Sequence, residues 1–226
     1  MNRFEGFLVS AIFGLVAIGA GINVYENLST DRSKLPDKVE KAKGFQRWIT
    51  NLKNKGLEEI EADGFVLVEE NEIYNTTWMK VSSFEKNEQE FYENIESHKD
   101  IKRVIFSPSD RLYIDYRNEK RNGYEQNEVQ FYGVRDDKII DSRVVDCSTR
   151  ANCYFDRAYF LSNDVFVISE FSRNIHKKDE AAPICSGNDV CEYTIKIHVV
   201  DLINNSRLVY ESIPIELVLN EWIPEL

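Results

Sequence analysis

The chain runs to 226 residues, 42% hydrophobic and 30% charged, with only ten glycines and five prolines. That composition excludes wholesale disorder and collagen-like or low-complexity classes. The formal net charge of −11 lacks the basic face that nucleic-acid binding needs, so no nucleic-acid partner is expected.

The charge changes sign along the chain. Residues 1–56 hold nine Lys/Arg against five Asp/Glu, and residues 57–226 hold nineteen against thirty-four. A switch of this kind marks a change of role. It divides the chain into a transmembrane anchor or signal segment over 1–25, a linker and amphipathic helix over 26–56, and a β-rich extracytoplasmic domain over 57–226.

Residues 6–25 carry no charge. Twenty helical residues reach about 30 Å, the thickness of a hydrocarbon core, which predicts a single membrane-spanning helix. A cleaved signal peptide is the competing reading, with 8–18 as its apolar region and Gly19, Ala20 and Gly21 at the cleavage site. Gly6, Ser10, Gly14, Ala17 and Gly21 share one helical face. A stripe of small residues lets a second helix approach closely, which predicts self-association or a partner subunit, although glycine and alanine are common in membrane helices anyway.

Pro36 and Asp37 open an amphipathic helix expected over about 37–55, with Asp37 as a candidate cap. Val39, Ala42, Phe45, Trp48, Ile49 and Leu52 recur at helical spacing. Lys53 and Lys55 suit the dipole at its end, and Gly56 suits the left-handed stop position. Gly44 costs about 1 kcal/mol relative to alanine inside a helix, so a kink is expected there. The apolar face is expected to pack on the following domain. The alternative is a helix lying on the membrane surface, with Lys38, Lys41, Lys43 and Arg47 near head groups.

Short β-rich runs follow at 65–69, 74–84, 101–107, 111–117, 128–134, 138–145, 154–160, 164–171, 193–200, 206–211 and 213–219, dominated by Val, Ile, Tyr and Phe. Turn chemistry separates them at Ser107-Pro108-Ser109-Asp110, Asp136-Asp137 and Asn204-Asn205. One helix is expected at about 86–98, with Phe91, Tyr92 and Ile95 on one side.

Two stretches resemble each other. Residues 104–114 align with 158–168, matching Phe106 to Phe160 and Asp110 to Asp164, and 129–134 align with 195–200. Each repeat therefore predicts four antiparallel strands. The run Phe106-Ser107-Pro108-Ser109-Asp110, then Leu112-Tyr113-Ile114, resembles the opening of β-propeller blades of the WD-repeat and TolB-like kind. The resemblance covers about residues 101–212, two blades, without the Trp-Asp or Gly-His marks of the family. Two blades fall short of the four or so that a closed ring needs. The resemblance implies four-stranded meanders, either stacked as a sandwich or forming part of a propeller. The expected fold class is mainly β, with an N-terminal transmembrane helix and an amphipathic helix.

Cys147 and Cys153 are six apart, as are Cys185 and Cys191, each pair enclosing polar loop residues. Downstream of an export signal, local disulfides within each pair are expected, although four cysteines allow three connectivities. Structural zinc favours tighter spacing, so no metal is expected. Five basic residues, Arg32, Lys34, Lys38, Lys41 and Lys43, follow the apolar run against Arg3 before it, which by the positive-inside rule places the large domain inside. The paired cysteine spacings place it outside, and Asp31, Asp37 and Glu40 interleave the basic residues. The expected location is thus a periplasmic or extracellular domain on a single-pass anchor.

No phosphate loop, nucleophile elbow or His-Glu-x-x-His motif occurs. Of three histidines, His198 is expected mid-strand, and His98 and His176 in polar loops. The acidic clusters Glu58-Glu59, Glu69-Glu70 and Asp136-Asp137 with Asp141 lack calcium-loop spacing and read as solvated faces. The segment 174–190 is long and polar, as binding loops often are. No catalytic residue and no cofactor is expected. The expected function is a membrane-anchored extracytoplasmic β-domain that binds a protein partner or serves as an accessory or structural subunit, or that forms a homo-oligomer. One alternative is an exported enzyme of unknown reaction. Another is a pilin-like subunit, since an apolar N-terminal helix, an amphipathic helix and a β-domain with late cysteines resemble that family. Gly6-Phe7 resembles its processing point, but Ala11 stands where that family has Glu.

Overall fold

The computed structural model describes residues 31–74, 78–118, 127–147, 149–176 and 184–223. Residues 34–226 form one compact unit. Among the described residues eleven strands form two antiparallel sheets. They are β1 (Val66–Asn71), β2 (Met79–Ser83), β3 (Val104–Phe106), β4 (Leu112–Asp115), β5 (Glu128–Arg135), β6 (Lys138–Asp146), β7 (Arg150–Phe160), β8 (Val165–His176), β9 (Val190–Asp201), β10 (Ser206–Glu211) and β11 (Ile215–Val218). One sheet runs β2-β6-β5-β4-β3. The other runs β1-β10-β9-β8-β7, with β11 paired to the first half of β9.

Each repeat folds as a four-strand meander, β3 to β6 and β7 to β10, and each receives a fifth strand from upstream. The β5–β6 turn is the tight Asp136-Asp137 pair, both at positive φ (46° and 59°). Left-handed backbone conformation at both central positions gives a turn that matches the right-handed twist of the flanking strands. Asn205, also left-handed, accepts the backbone N–H of Ile73 (3.1 Å) and Tyr74 (2.8 Å), which ties the chain after β1 to the β9–β10 turn.

Alternation along the strands sends side chains to two cores and a third patch. Leu112, Ile114, Val129, Phe131 and Val144 of the first sheet meet Phe155, Phe166, Ile168 and Val200 of the second in one cluster, so the sheets stack face to face as a sandwich. The outer face of the second sheet, with Val167, Phe171, Tyr193, Ile195, Ile197 and Tyr210, is covered by helix α2 (Lys43–Asn54) through Phe45, Trp48, Ile49 and Leu52. The outer face of the first sheet, with Tyr113 and Ile139, is covered by helix α3 (Phe84–His98) through Phe91 and Ile95. The result is a helix, two sheets and a second helix in four layers.

Local details differ from expectation. The helix expected over 37–55 is broken at Lys41–Ala42 into α1 (Asp37–Glu40) and α2, so the break precedes Gly44. Asp37 lies in the first turn of α1 and makes no cap. Gly44 does not kink α2: a Cβ there would lie 2.7 Å from the Tyr159 ring, so it is the lack of a side chain that lets the helix seat on the sheet. Gly56 does stop the helix with φ +108°. On α3, Tyr92 points outward and is 52% exposed.

The fold class needs a correction. Among the described residues no helix is long and apolar enough to cross a membrane. The longest, α3, has 15 residues, about 22 Å at helical rise, and one face of it is solvated. The surface-lying alternative for α2 fails too, because its apolar face is spent on the sheet. The expected spanning segment, with Gly6, Ser10, Gly14, Ala17 and Gly21, lies outside the described residues. The fold is mainly β, two antiparallel sheets with covering helices, and among the described residues none of those helices is a transmembrane one.

Candidate functional site

Two disulfides join Cys147 to Cys153 and Cys185 to Cys191, which fits an oxidising, extracytoplasmic compartment. The first closes the crossover from β6 to β7, the point where the chain leaves one sheet for the other. Both of its cysteines are buried in the inter-sheet core rather than held in an exposed loop. Asn127 gives its side-chain amide to the Cys153 carbonyl (2.7 Å), and its backbone carbonyl accepts the Cys147 N–H (2.8 Å). Asn152, at φ 51°, links this bridge to the other. Its side chain donates to the Cys185 carbonyl (2.8 Å) and accepts the Cys185 N–H (2.9 Å).

Beside the first disulfide the inner face of the second sheet carries buried charge. Glu170 on β8 is fully buried and takes both guanidinium nitrogens of Arg150, Nη1 to Oε1 and Nη2 to Oε2 (3.0 Å). His198 on β9 donates Nε2–H to the same Oε2 at 2.9 Å. Burial alone would push the Glu170 carboxyl up. The Arg150 charge and the His198 hydrogen bond overcome it and hold the group well below the usual carboxylate range. Burial holds His198 below its ordinary value, so the ring is neutral and its Nδ1 finds no hydrogen-bond partner among the described residues. Lys196 reaches Glu211 at 2.6 Å on the same face. The sulfurs of Cys147 and Cys153 and a Glu170 oxygen lie within 4.8 Å of one another. Their donor capacity is already spent on the S–S bond, Arg150 and His198, so this trio is a structural knot and not a metal centre.

The place where charge meets solvent is elsewhere. A cleft of about 290 Å³ opens where the end of α2, the turn before β3, β7 and the C-terminal helix α4 (Leu219–Trp222) converge. Among the described residues that line it are four cations, Lys55, Lys102, Arg103 and Arg157, and one carboxylate, Asp156. Local backbone features aim them. The β7–β8 register shifts between Phe155 and Ala158, and a bulge of this kind re-aims side chains at a strand edge. Here it swings Asp156 and Arg157 out of the alternation. Ser169 secures it by accepting the Arg157 N–H at 3.0 Å. Arg103 sits at φ 66°, a conformation unusual outside glycine. Its Nη1 donates to the carbonyls of Phe155 (2.8 Å) and Asp156 (3.2 Å), with the guanidinium 5.9 Å over the Tyr116 ring. Lys55 caps the end of α2, donates weakly to the carbonyls of Glu221 and Trp222, and lies 5.4 Å over the Trp222 ring. At the floor Asp156 accepts the Trp48 indole N–H at 2.8 Å, and burial raises its pKa. Arg157 and Lys102 form the exposed rim. Among the described residues no carboxylate lies within ion-pair distance of Arg157 or Lys55.

Sequence reasoning found the four cysteines and missed the cleft, whose residues are spread from Asn51 to Trp222 with no motif between them. Of the histidines, His198 is mid-strand as expected. His98 ends α3, stacked on Tyr113 with ring centroids 4.6 Å apart, and does not sit in a loop. The backbone of His176 ends β8. Of the segment 174–190, residues 177–183 lie outside the described residues. No family model, curated protein or solved structure matches this chain.

Proposed function

We propose that the chain is an exported β-domain, periplasmic or extracellular, that works by binding: an accessory subunit that receives a partner protein at the cationic cleft beside α2. The two meanders fit the blade-like modules that the sequence resembles, and such modules serve as rigid platforms for loops that bind. The observation that carries the reading is the convergence of Lys55, Lys102, Arg103 and Arg157 on one concave surface of a chain with net charge −11. A concave surface of this sign complements an acidic partner.

A photo-crosslinking residue placed at Asn51, inside the cleft, tests it, with the same residue at Glu88 on the exposed side of α3 as reference. Irradiation of the cells that make the protein should give a discrete adduct from position 51 and none from position 88. Equal patterns from both positions, or no adduct from either, would overturn the proposal.

A further inference from the structure

Resting on that reading, we infer that the partner enters by its carboxyl terminus, with an apolar last residue seated in a groove that adjoins the cleft along α2. The groove has a volume of about 400 Å³. One wall is a single stripe of α2, Gly44, Arg47, Trp48 and Asn51, spaced i, i+3, i+4 and i+7 on one helical face. Seven residues at helical rise make that wall about 10 Å long, the reach of about three residues of extended chain. The other wall carries Arg157 and Tyr159 of β7. Asn51 and Arg157 also line the cationic cleft, so an occupant of the groove leads on into the cleft.

Three features specify the occupant. First, the groove is lined by ring surfaces. The Tyr159 ring lies against Gly44, where a Cβ would approach it to 2.7 Å, and Trp48 is buried with its indole N–H given to Asp156 at 2.8 Å. These surfaces suit an apolar side chain. Second, Arg47 and Arg157 come from different elements and are exposed, and among the described residues neither has a carboxylate within ion-pair distance. A guanidinium fork matches the paired oxygens of a carboxylate, and two forks from two elements take one carboxylate from both sides. Third, the Asn51 side-chain amide makes no hydrogen bond to a described residue, and it stands where groove and cleft meet. An amide offers both a donor and an acceptor, the complement of a peptide group. An apolar side chain and a carboxylate belong to one residue only at the end of a chain. A free apolar acid would satisfy the rings and the arginines and leave Asn51 and the adjoining cleft empty.

Calorimetric titration of the full chain with acetyl-Gly-Gly-Phe, as free acid and as amide, tests the inference. Phenylpropionate supplies the ring and the carboxylate without a chain, and acetyl-Gly-Asp-Phe amide places the carboxylate inside the chain. The free-acid peptide should bind at least about tenfold more tightly than each of the other three, the loss expected for one good polar contact, and raising salt should weaken it. Arg47→Gln and Arg157→Gln should each weaken it about tenfold. Both side chains are exposed, so the variants should melt with the parent. No binding of the free-acid peptide at roughly 10 mM would overturn the inference, as would equal binding of acid and amide or an affinity that neither substitution changes. Phenylpropionate binding as tightly as the peptide would assign the groove to a free acid, and tighter binding of the internal aspartate would assign it to an acidic loop; either result overturns the inference. A crosslink from position 51 with equal binding of acid and amide peptides would sink this inference and leave the partner reading standing. Acid-dependent peptide binding without a crosslink would do the reverse.

Discussion

Replacing Arg150 with methionine attacks the buried charge beside the first disulfide. Arg150 is the only cation in direct contact with the fully buried Glu170 among the described residues, and its own side chain is 15% exposed. Methionine keeps the stem and removes both guanidinium contacts. Glu170 then keeps only the neutral His198 N–H. Removing one member of a buried pair costs about 3–5 kcal/mol. For a unit of this size each kilocalorie moves the melting point by about 2–4 °C, so a fall of about 6–20 °C is expected. The pH dependence changes sign as well. In the parent, Glu170 is held low, so its contribution to stability is complete above the ordinary carboxylate range and is lost as pH falls below about 4.5. In Arg150→Met only the His198 N–H still opposes burial, the native carboxyl takes up a proton more readily than the unfolded one, and this group then loses stability as pH rises from about 4.5 towards neutrality. Urea unfolding at several pH values between 4 and 7.5 reads both effects. A loss under about 1 kcal/mol with the parental pH slope would refute the argument that Arg150 is what keeps Glu170 ionised.

His198 is neutral in the folded chain, so below its ordinary value of about 6.5 the unfolded chain gains a proton that the native state refuses. Stability should fall between pH 7 and 5.5, and His198→Gln should flatten that part of the urea profile. Gly44→Ala should destabilise by about 1–3 kcal/mol in thermal melts, because a methyl group 2.7 Å from the Tyr159 ring forces repacking that outweighs the roughly 1 kcal/mol helical gain. Asn205→Ala removes the acceptor for two backbone N–H groups and should cost about 1–3 kcal/mol in urea unfolding. Replacing Cys185 and Cys191 together by serine opens a loop with a sequence separation of 6, worth about 2 kcal/mol in loop entropy. Hydrogen exchange should also quicken around Asn152, which holds the Cys185 backbone.

Much of the fold is written locally. Each of the eleven strands follows a run rich in β-branched and aromatic residues; the run 74–84 gives β2 from Met79 and gives up Phe84 to α3, with residues 75–77 outside the described residues. The pattern along α2 gives its buried face because period and burial agree at Phe45, Trp48, Ile49 and Leu52. What stays hidden depends on pairing at a distance. The reason for Gly44 is a ring on β7, more than a hundred residues away. The inward turn of Lys196 and Glu170 follows from alternation, but only the folded sheets show that their partners lie beside them. The cleft is invisible because an acidic average conceals it: Arg103 and Arg157 have ordinary neighbours in sequence and meet through a left-handed turn and a bulge. The apolar run 6–25 and its stripe of small residues lie outside the described residues.

The first strand to be made finishes the sheet that is made last. Val66 of β1 pairs with Glu211 of β10, so the chain must be nearly all synthesised before its early hydrogen bonds have anywhere to go. Contacts so far apart in sequence are slow to form, and β1 stays unpaired with its sheet until β10 is made. A polypeptide with this ordering withholds closure of the second sheet until its late strands are in place.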